Sequence, residues 1–203
     1  MPERSRRKEV PISNLQIPLL PIRDAVIFPG HVHSLLVTRE HSRRTIRQAQ
    51  QDGSQVLCVT QRDRAIEEPR NNELYSIGVS CEIMHVTPLP DGSVRAVLRA
   101  GPRMLLQSVR KTSKMWIAEA QPISSTISES DELVATTRFC IARFTELAEA
   151  DSSIPIESLT SFSADDPTEQ IIDAISYFLS TSISAKQALL ELHDVTIRAT
   201  ELA

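Results

Sequence analysis

Glycine is scarce in this chain and stops early. Of 203 residues only five are glycine, the last being Gly101, and ten of the twelve prolines fall by Pro122. Without that punctuation, the remainder cannot be a series of short strands and tight turns, and it suits helices. Aromatic residues make up 4%, which excludes base stacking as a main device for gripping single-stranded nucleic acid. Long apolar runs are missing too. The most apolar stretch, Leu15 to Pro29, is broken by Gln16, Pro18, Pro21, Arg23 and Asp24, well short of the roughly 20 residues of a membrane span. Cys58, Cys81 and Cys140 form no Cys-x-x-Cys pair. An odd, sparse set reads as free thiols in a reducing compartment, so a cytoplasmic location is expected. Residues 1–14 read as a basic, flexible tail. Arg4, Arg6, Arg7 and Lys8 are mixed with Glu3 and Glu9, and no apolar signal core follows.

The net charge of −4 hides a division. Residues 1–122 hold 18 Lys and Arg against 12 Asp and Glu, whereas residues 123–203 hold 4 against 14. Charge and glycine change together near Gln121-Pro122. We therefore expect a β-domain over 15–122 and a helical bundle over 123–203. The Ser124–Ser128 link is expected to be the first internal site open to proteases.

Strand signals fill the first part. Leu15, Ile17 and Leu19 alternate, Ser34–Thr38 is a short run, and Gln55–Thr60 is continuously apolar, as suits a strand buried on both faces. Ile77, Val79, Cys81, Ile83 and His85 fall on one face of a longer strand that enters a hairpin at Asp91-Gly92. Val94–Ala100, Met104–Val109 and Trp116–Ala120 follow at meander spacing. Arg39–Asp52 breaks the pattern: it lacks Gly and Pro and ends at Gly53, as a helix does. The expectation is a closed or strongly curled mixed sheet carrying one helix, and α+β overall.

Helix signals fill the second part. Ser130 can cap a helix with Leu133, Thr137, Ile141, Phe144 and Leu147 on its buried stripe. Asp166-Pro-Thr-Glu169 and Ser184-Ala-Lys-Gln187 read as capping boxes, the first followed by Ile171, Ile172, Ile175, Phe178 and Leu179. Asp194 can cap a last segment through Leu202. That segment meets no stop signal, which suggests a longer chain or a longer relative.

Residues with chemistry to offer are few. His31-x-His33, with His41 nearby, lacks carboxylate or cysteine partners at metal-ligand spacing, so a polar turn is expected and no metal or cofactor. Cys58 reads as core. Three scattered residue types make no Ser/His/Asp arrangement, and no glycine precedes a lysine, which excludes a phosphate-cradling P-loop. Arg39, Arg43 and Arg47 fall four apart along the first helix, with Arg44 beside them. Such a stripe is usually a solvated, partly neutralised face, and otherwise a grip for polypeptide or phosphate.

Several ordered segments carry a resemblance. Ile17-Pro-Leu-Leu-Pro-Ile-Arg-Asp-Ala-Val-Ile-Phe-Pro-Gly30 resembles the opening of the Lon protease amino-terminal domain. Arg39-Glu-His-Ser42, Val59–Asp63, Leu74–Gly78 and Leu89–Gly92 follow in the family's order, and Lys186–Glu191 with Asp194-Val195 and Arg198 resembles its third helical region. The likeness covers about residues 15–203. Departures lie at Leu35-Leu36 and Thr38.

The resemblance implies a PUA-like β-domain, a helical bundle and a long helix leading to an ATPase module. Lon-type peptidases place their serine–lysine dyad in a separate carboxyl-terminal domain, and no segment here resembles it. The implied role is non-catalytic: substrate recognition and assembly in ATP-dependent proteolysis, with unfolded, damaged or tagged proteins and a Lon-type ATPase/protease module as partners. No membrane partner is expected. In the family, the Arg-Glu-Lys-Ser opening of the first helix is associated with substrate recognition and aligns with Arg39-Glu-His-Ser42. The candidate contact set is Glu40, His41 and Arg44, with Leu35, Leu36, Arg39, Arg43 and Arg47. His41 stands where the family has lysine, replacing a permanent charge by one that titrates near 6.5 when unperturbed. The alternative, from a different class, is a PUA-like RNA-binding protein using the arginines of the first helix.

Overall fold

A computed structural model describes residues 14–113, 115–151, 154 and 166–203. The expected basic tail thus lies, but for Asn14, outside the described residues. Six strands and five helices follow in the order β1 (Leu15–Ile22), β2 (Val32–Val37), α1 (Glu40–Asp52), β3 (Val56–Thr60), β4 (Ile77–Pro88), β5 (Val94–Lys111), β6 (Trp116–Pro122), α2 (Asp131–Ala150), α3 (Thr168–Phe178), α4 (Ile183–Glu191) and α5 (Val195–Leu202). The α+β class holds.

All strands join one mixed sheet of order β2-β5-β4-β3-β1-β6, and β5 also pairs with β6. That second pairing closes β1, β3, β4, β5 and β6 into a barrel-like ring. The continuously apolar β3 is buried at all five positions, between parallel β1 and antiparallel β4. β2 stands outside the ring and, among the described residues, pairs only with the first half of β5. Helix α1 covers the barrel with Ser42, Thr45, Ile46 and Ala49, the spacing of a single helical face. It ends where Gly53 adopts a left-handed conformation (φ 60°) and its N–H returns to the Ala49 and Gln50 carbonyls.

Two strand expectations need correction. Gly101-Pro102 does not separate two strands: β5 runs unbroken over 18 residues. The chain changes partner there, leaving β2 for β6, so these residues mark a bend. In β4, the ladder shifts between Ile83 and His85. This bulge turns His85 outward and brings Val86 against the core instead.

The helical part is a small bundle. Ser130 caps α2, accepting from the Leu133 N–H, and the Asp194 carboxylate caps α5, accepting from the Thr196 and Ile197 N–H groups. Elsewhere the caps differ from expectation. Pro167 occupies the cap position of α3 without a side-chain bond, and Ser182, not Ser184, caps α4. Glu169 and Gln187 are committed to other partners: Glu169 meets Arg103, and Gln187 donates to the Ile77 carbonyl. The stripe on α2 is Leu133, Thr137, Cys140, Phe144 and Ala148. Leu147, expected inside, is exposed.

The two parts meet across a buried seam. Leu189 and Leu190 of α4 belong to the same apolar cluster as the barrel residues Leu20, Val79 and Leu98. Beside them Asp173 of α3 is clamped between Arg103 of β5 (2.6 Å) and Arg198 of α5 (2.8 Å), all three almost fully buried. The remaining guanidinium protons reach the Leu190 and Leu192 carbonyls, Glu169 and Ser125. Buried charge on this scale survives only when its hydrogen bonds are nearly complete. The Ser124–Ser128 link is itself tied down, because Ser125 Oγ meets Arg198 and Thr126 forms a bridge with Asp194.

Candidate functional site

Between the end of β1 and the open side of β2 lies a groove of about 330 Å³. Leu20, Pro21 and Ile22 form one wall, and Ser34 to Thr38 form the other. Arg39 and Ser42, from the start of α1, close the end. Alternation along β2 sends Val37 into the core and leaves Leu36 61% exposed on the rim, with Leu35 half-buried against the core cluster. Ser42 is 2% exposed, yet its Oγ has no hydrogen-bond partner among the described residues, and neither does Arg23 Nε beside it. Orphaned polar atoms at a groove are unusual, since each normally costs about 1–3 kcal/mol.

The arginine stripe is not a stripe. Arg39 turns inward and donates to the Pro21 carbonyl (2.6 Å), Gln61 Oε1 (2.6 Å) and the Glu67 carbonyl (3.1 Å). Burial, with Arg23 nearby, lowers its guanidinium to about 10. Arg43 is bound to Glu40 and to the Gly92 carbonyl of the β4–β5 hairpin. Arg44 also holds Glu40, at 2.8 Å, so one carboxylate serves two cations, and those hydrogen bonds hold Glu40 below the usual carboxylate range. Among the described residues, Arg47 alone of the four is exposed without an ion pair.

His41 also departs from the expected cluster. It leaves Glu40 and Arg44 and stacks flat on Trp116 of β6, with ring centroids 4.5 Å apart and planes 6° from parallel. Lys111 lies over the other partner of that stack, 4.6 Å from the Trp116 ring. Burial, and Arg39 beside it, lowers the His41 pKa, so any charge appears further below neutrality than an exposed imidazole would show. The candidate residues therefore split into three: Leu35, Leu36 and Arg39 at the groove, Glu40, Arg43, Arg44 and Arg47 on the outer face of α1, and His41 against the barrel.

The histidine pair in Gly30-His-Val-His33 faces the helices. His31 stacks on Tyr177 (4.8 Å) and His33 meets the same ring edge-on (4.9 Å). Burial pushes both imidazoles down, His33 to about 4. No group of three or more metal-ligating side chains occurs among the described residues. Sequence reasoning overlooked Arg103, Asp173, Gln61 and Arg23. Each is polar within an otherwise ordinary pattern, and its partner lies tens of residues away, so no local signal marked it.

The family model of the ATP-dependent protease La (Lon) substrate-binding domain matches residues 16–203. The chain belongs to this family. Among curated relatives, the Lon proteases of Escherichia coli K12 and Azospirillum brasilense are 29% and 30% identical over 97% and 98% of the chain. The chain spans about a quarter of those relatives' length. The fold also matches solved structures. The amino-terminal domain of a Mycobacterium avium complex Lon protease superposes with TM-score 0.74 at 21% identity, covering 93% of this chain and 96% of that one. An amino-terminal Lon domain protein from Xanthomonas campestris gives 0.62 at 17% identity, with the same coverage. No described helix is long and apolar enough to cross a membrane.

Proposed function

We propose that this chain is the non-catalytic substrate-recognition and assembly module of a Lon-type ATP-dependent protease, acting in the cytoplasm on unfolded or tagged polypeptides. Residues 15–122 form the client-facing unit, and residues 123–203 connect it to the ATP-driven unfoldase. Its mechanism is binding. Weak contacts raise the local concentration of a chain at the translocating pore, and no bond is made or broken here.

The observation that carries this reading is the groove beside β2, where Leu20, Ile22, Leu35 and Leu36 alternate with polar and charged groups, in a domain of the Lon substrate-binding family. Leu35, Leu36 and Arg39 line it, while Glu40, Arg43, Arg44 and Arg47 supply a mixed-charge shoulder. His41 acts at one remove, holding α1 against Trp116. Mixed charge beside apolar surface suits a site that accepts many sequences weakly. The RNA-binding reading loses much of its support, because Arg39 is spent internally and Glu40 offsets one of the two charges of Arg43 and Arg44.

A salt titration tests the choice. Carboxymethylated, permanently unfolded lysozyme should bind with affinity nearly independent of salt, and a short RNA should bind weakly if at all. Tight RNA binding that falls steeply with salt would overturn the polypeptide reading.

A further inference from the structure

Among the described residues, the outer edge of β2 is bare. Every other described strand of the sheet has neighbours on both sides, whereas β2 pairs there with β5 alone. The Ala100 N–H donates to the His31 carbonyl. Continuing that antiparallel alternation commits the peptide groups of His33, Leu35 and Val37 to β5. Those of Val32, Ser34 and Leu36 then face away from it.

Exposed strand edges invite pairing with any extended chain, and proteins normally guard them with lysine, proline, bulges or inward charges. This one has no guard. The strand Val-His-Ser-Leu-Leu-Val carries no lysine, carboxylate or proline, and its register with β5 runs without a bulge. Two of its outward side chains, Val32 and Leu36, are 52% and 61% exposed aliphatics.

Ser34, Leu35, Leu36 and Val37 of that same strand line the groove, and Ser42 and Arg23, whose Oγ and Nε are orphaned, are lining residues too. An unguarded strand, a groove of mixed polarity and unspent buried hydrogen-bonding groups coincide in one place.

Resting on the polypeptide-binding reading above, we infer that clients are held by strand addition: an extended segment of unfolded polypeptide pairs with the outer edge of β2. The occupant is identified by its chemistry. A row of alternating N–H and C=O groups is matched by another peptide backbone and by no phosphate or sugar. β2 spans about 20 Å, enough for roughly six client residues. Backbone pairing supplies affinity without reading sequence, and alternate client side chains fall toward the Leu36 rim or the groove. A recogniser of many unrelated clients needs that combination. Clients rich in β-branched and aromatic residues are favoured over those rich in proline or charge.

Amide exchange of the whole chain, read residue by residue with and without carboxymethylated lysozyme, tests the inference. Ser34 and Leu36 N–H should exchange freely alone and become protected when the client is bound. Ser34→Pro deletes one outward N–H at a position where an edge strand tolerates proline. Leu36→Lys restores the missing guard, and being exposed it leaves the fold intact should the proline variant fail to fold. Either change should weaken client binding roughly tenfold, the loss expected for one or two edge hydrogen bonds.

Client binding with no protection at Ser34 and Leu36, or binding unchanged in Leu36→Lys, overturns strand addition while leaving the polypeptide-binding reading standing. No client binding at all overturns both. Protection already present in the dilute free chain would mean that the chain's own residues cover the edge. Protection that rises with protein concentration alone would mean that a second copy does. Either result overturns the inference.

Discussion

The barrel and the helices of this chain are held by different kinds of interaction. In the barrel, β5 pairs in turn with β2, β4 and β6, and the inward side chains are mostly apolar, with Thr60, Gln61 and Ser80 among the exceptions. Polar atoms there are satisfied mainly by the backbone ladder. The helical part has its own apolar cluster around Ile172, Phe144 and Val195. Its attachment to the barrel, however, combines the apolar contact of Leu189 and Leu190 with a buried aspartate between two buried arginines. Ladders tolerate single side-chain changes, whereas a buried ion network fails when one member is removed. The seam is thus the brittle part of the molecule and the barrel the robust one.

The largest expected effect follows directly. Asp173→Ala leaves Arg103 and Arg198 buried without their counterion and should cost about 3–5 kcal/mol in urea unfolding. A loss below about 1 kcal/mol would mean that the apolar contact of Leu189 and Leu190, and not the ion network, holds the seam. The barrel has its own weak point at Gly78, whose backbone passes so close to the Cys58 carbonyl that an added Cβ would overlap it. Gly78→Ala should cost about 2–3 kcal/mol by forcing β3 and β4 apart. If it costs more than Asp173→Ala, the ranking of the two regions reverses.

Acid should act at the seam first. Burial holds His33 at about 4 in the folded chain, with His31 and Lys186 adding positive charge beside it, whereas an unfolded histidine takes up its proton near 6.5. A lowered histidine pKa means that stability is full above about 6.5 and falls as the pH drops toward 4. Between pH 7 and pH 5, His33 should contribute a loss of about 2 kcal/mol. His33→Gln should flatten that slope. An unchanged slope would assign it to other groups. The smallest effect is expected on the outer face of α1, where Glu40→Ala should leave the unfolding midpoint unchanged within error, because exposed ion pairs contribute little.

The sequence made the local features legible. Apolar alternation located β1, a continuous apolar run located β3, Gly53 ended α1, and Ser130 and Asp194 marked two helix starts, since each depends on neighbours within a few residues. The bend in β5 was hidden because Gly101-Pro102 also suits a turn, and only the exchange of β2 for β6 shows otherwise. Arg103 and Asp173 stand 70 residues apart, and no periodicity links them. The groove was half legible: Leu35-Leu36 and the start of α1 stood out, but the inward turn of Arg39 depends on Pro21 and Gln61, which only the closed barrel brings near. His41 carries no local sign of burial, because nothing near it in the chain announces Trp116.

Client binding by single variants tests the account most directly. Carboxymethylated lysozyme would be titrated in parallel into the parent chain, Leu36→Lys, and the double variant Glu40→Ala with Arg44→Ala, each first shown to be folded. The account predicts roughly tenfold weaker binding for Leu36→Lys and a smaller loss for the double variant, whose charges stand on the shoulder and already neutralise each other. Full binding by Leu36→Lys with binding abolished in the double variant would contradict it, and would place client contact on the charged face of α1.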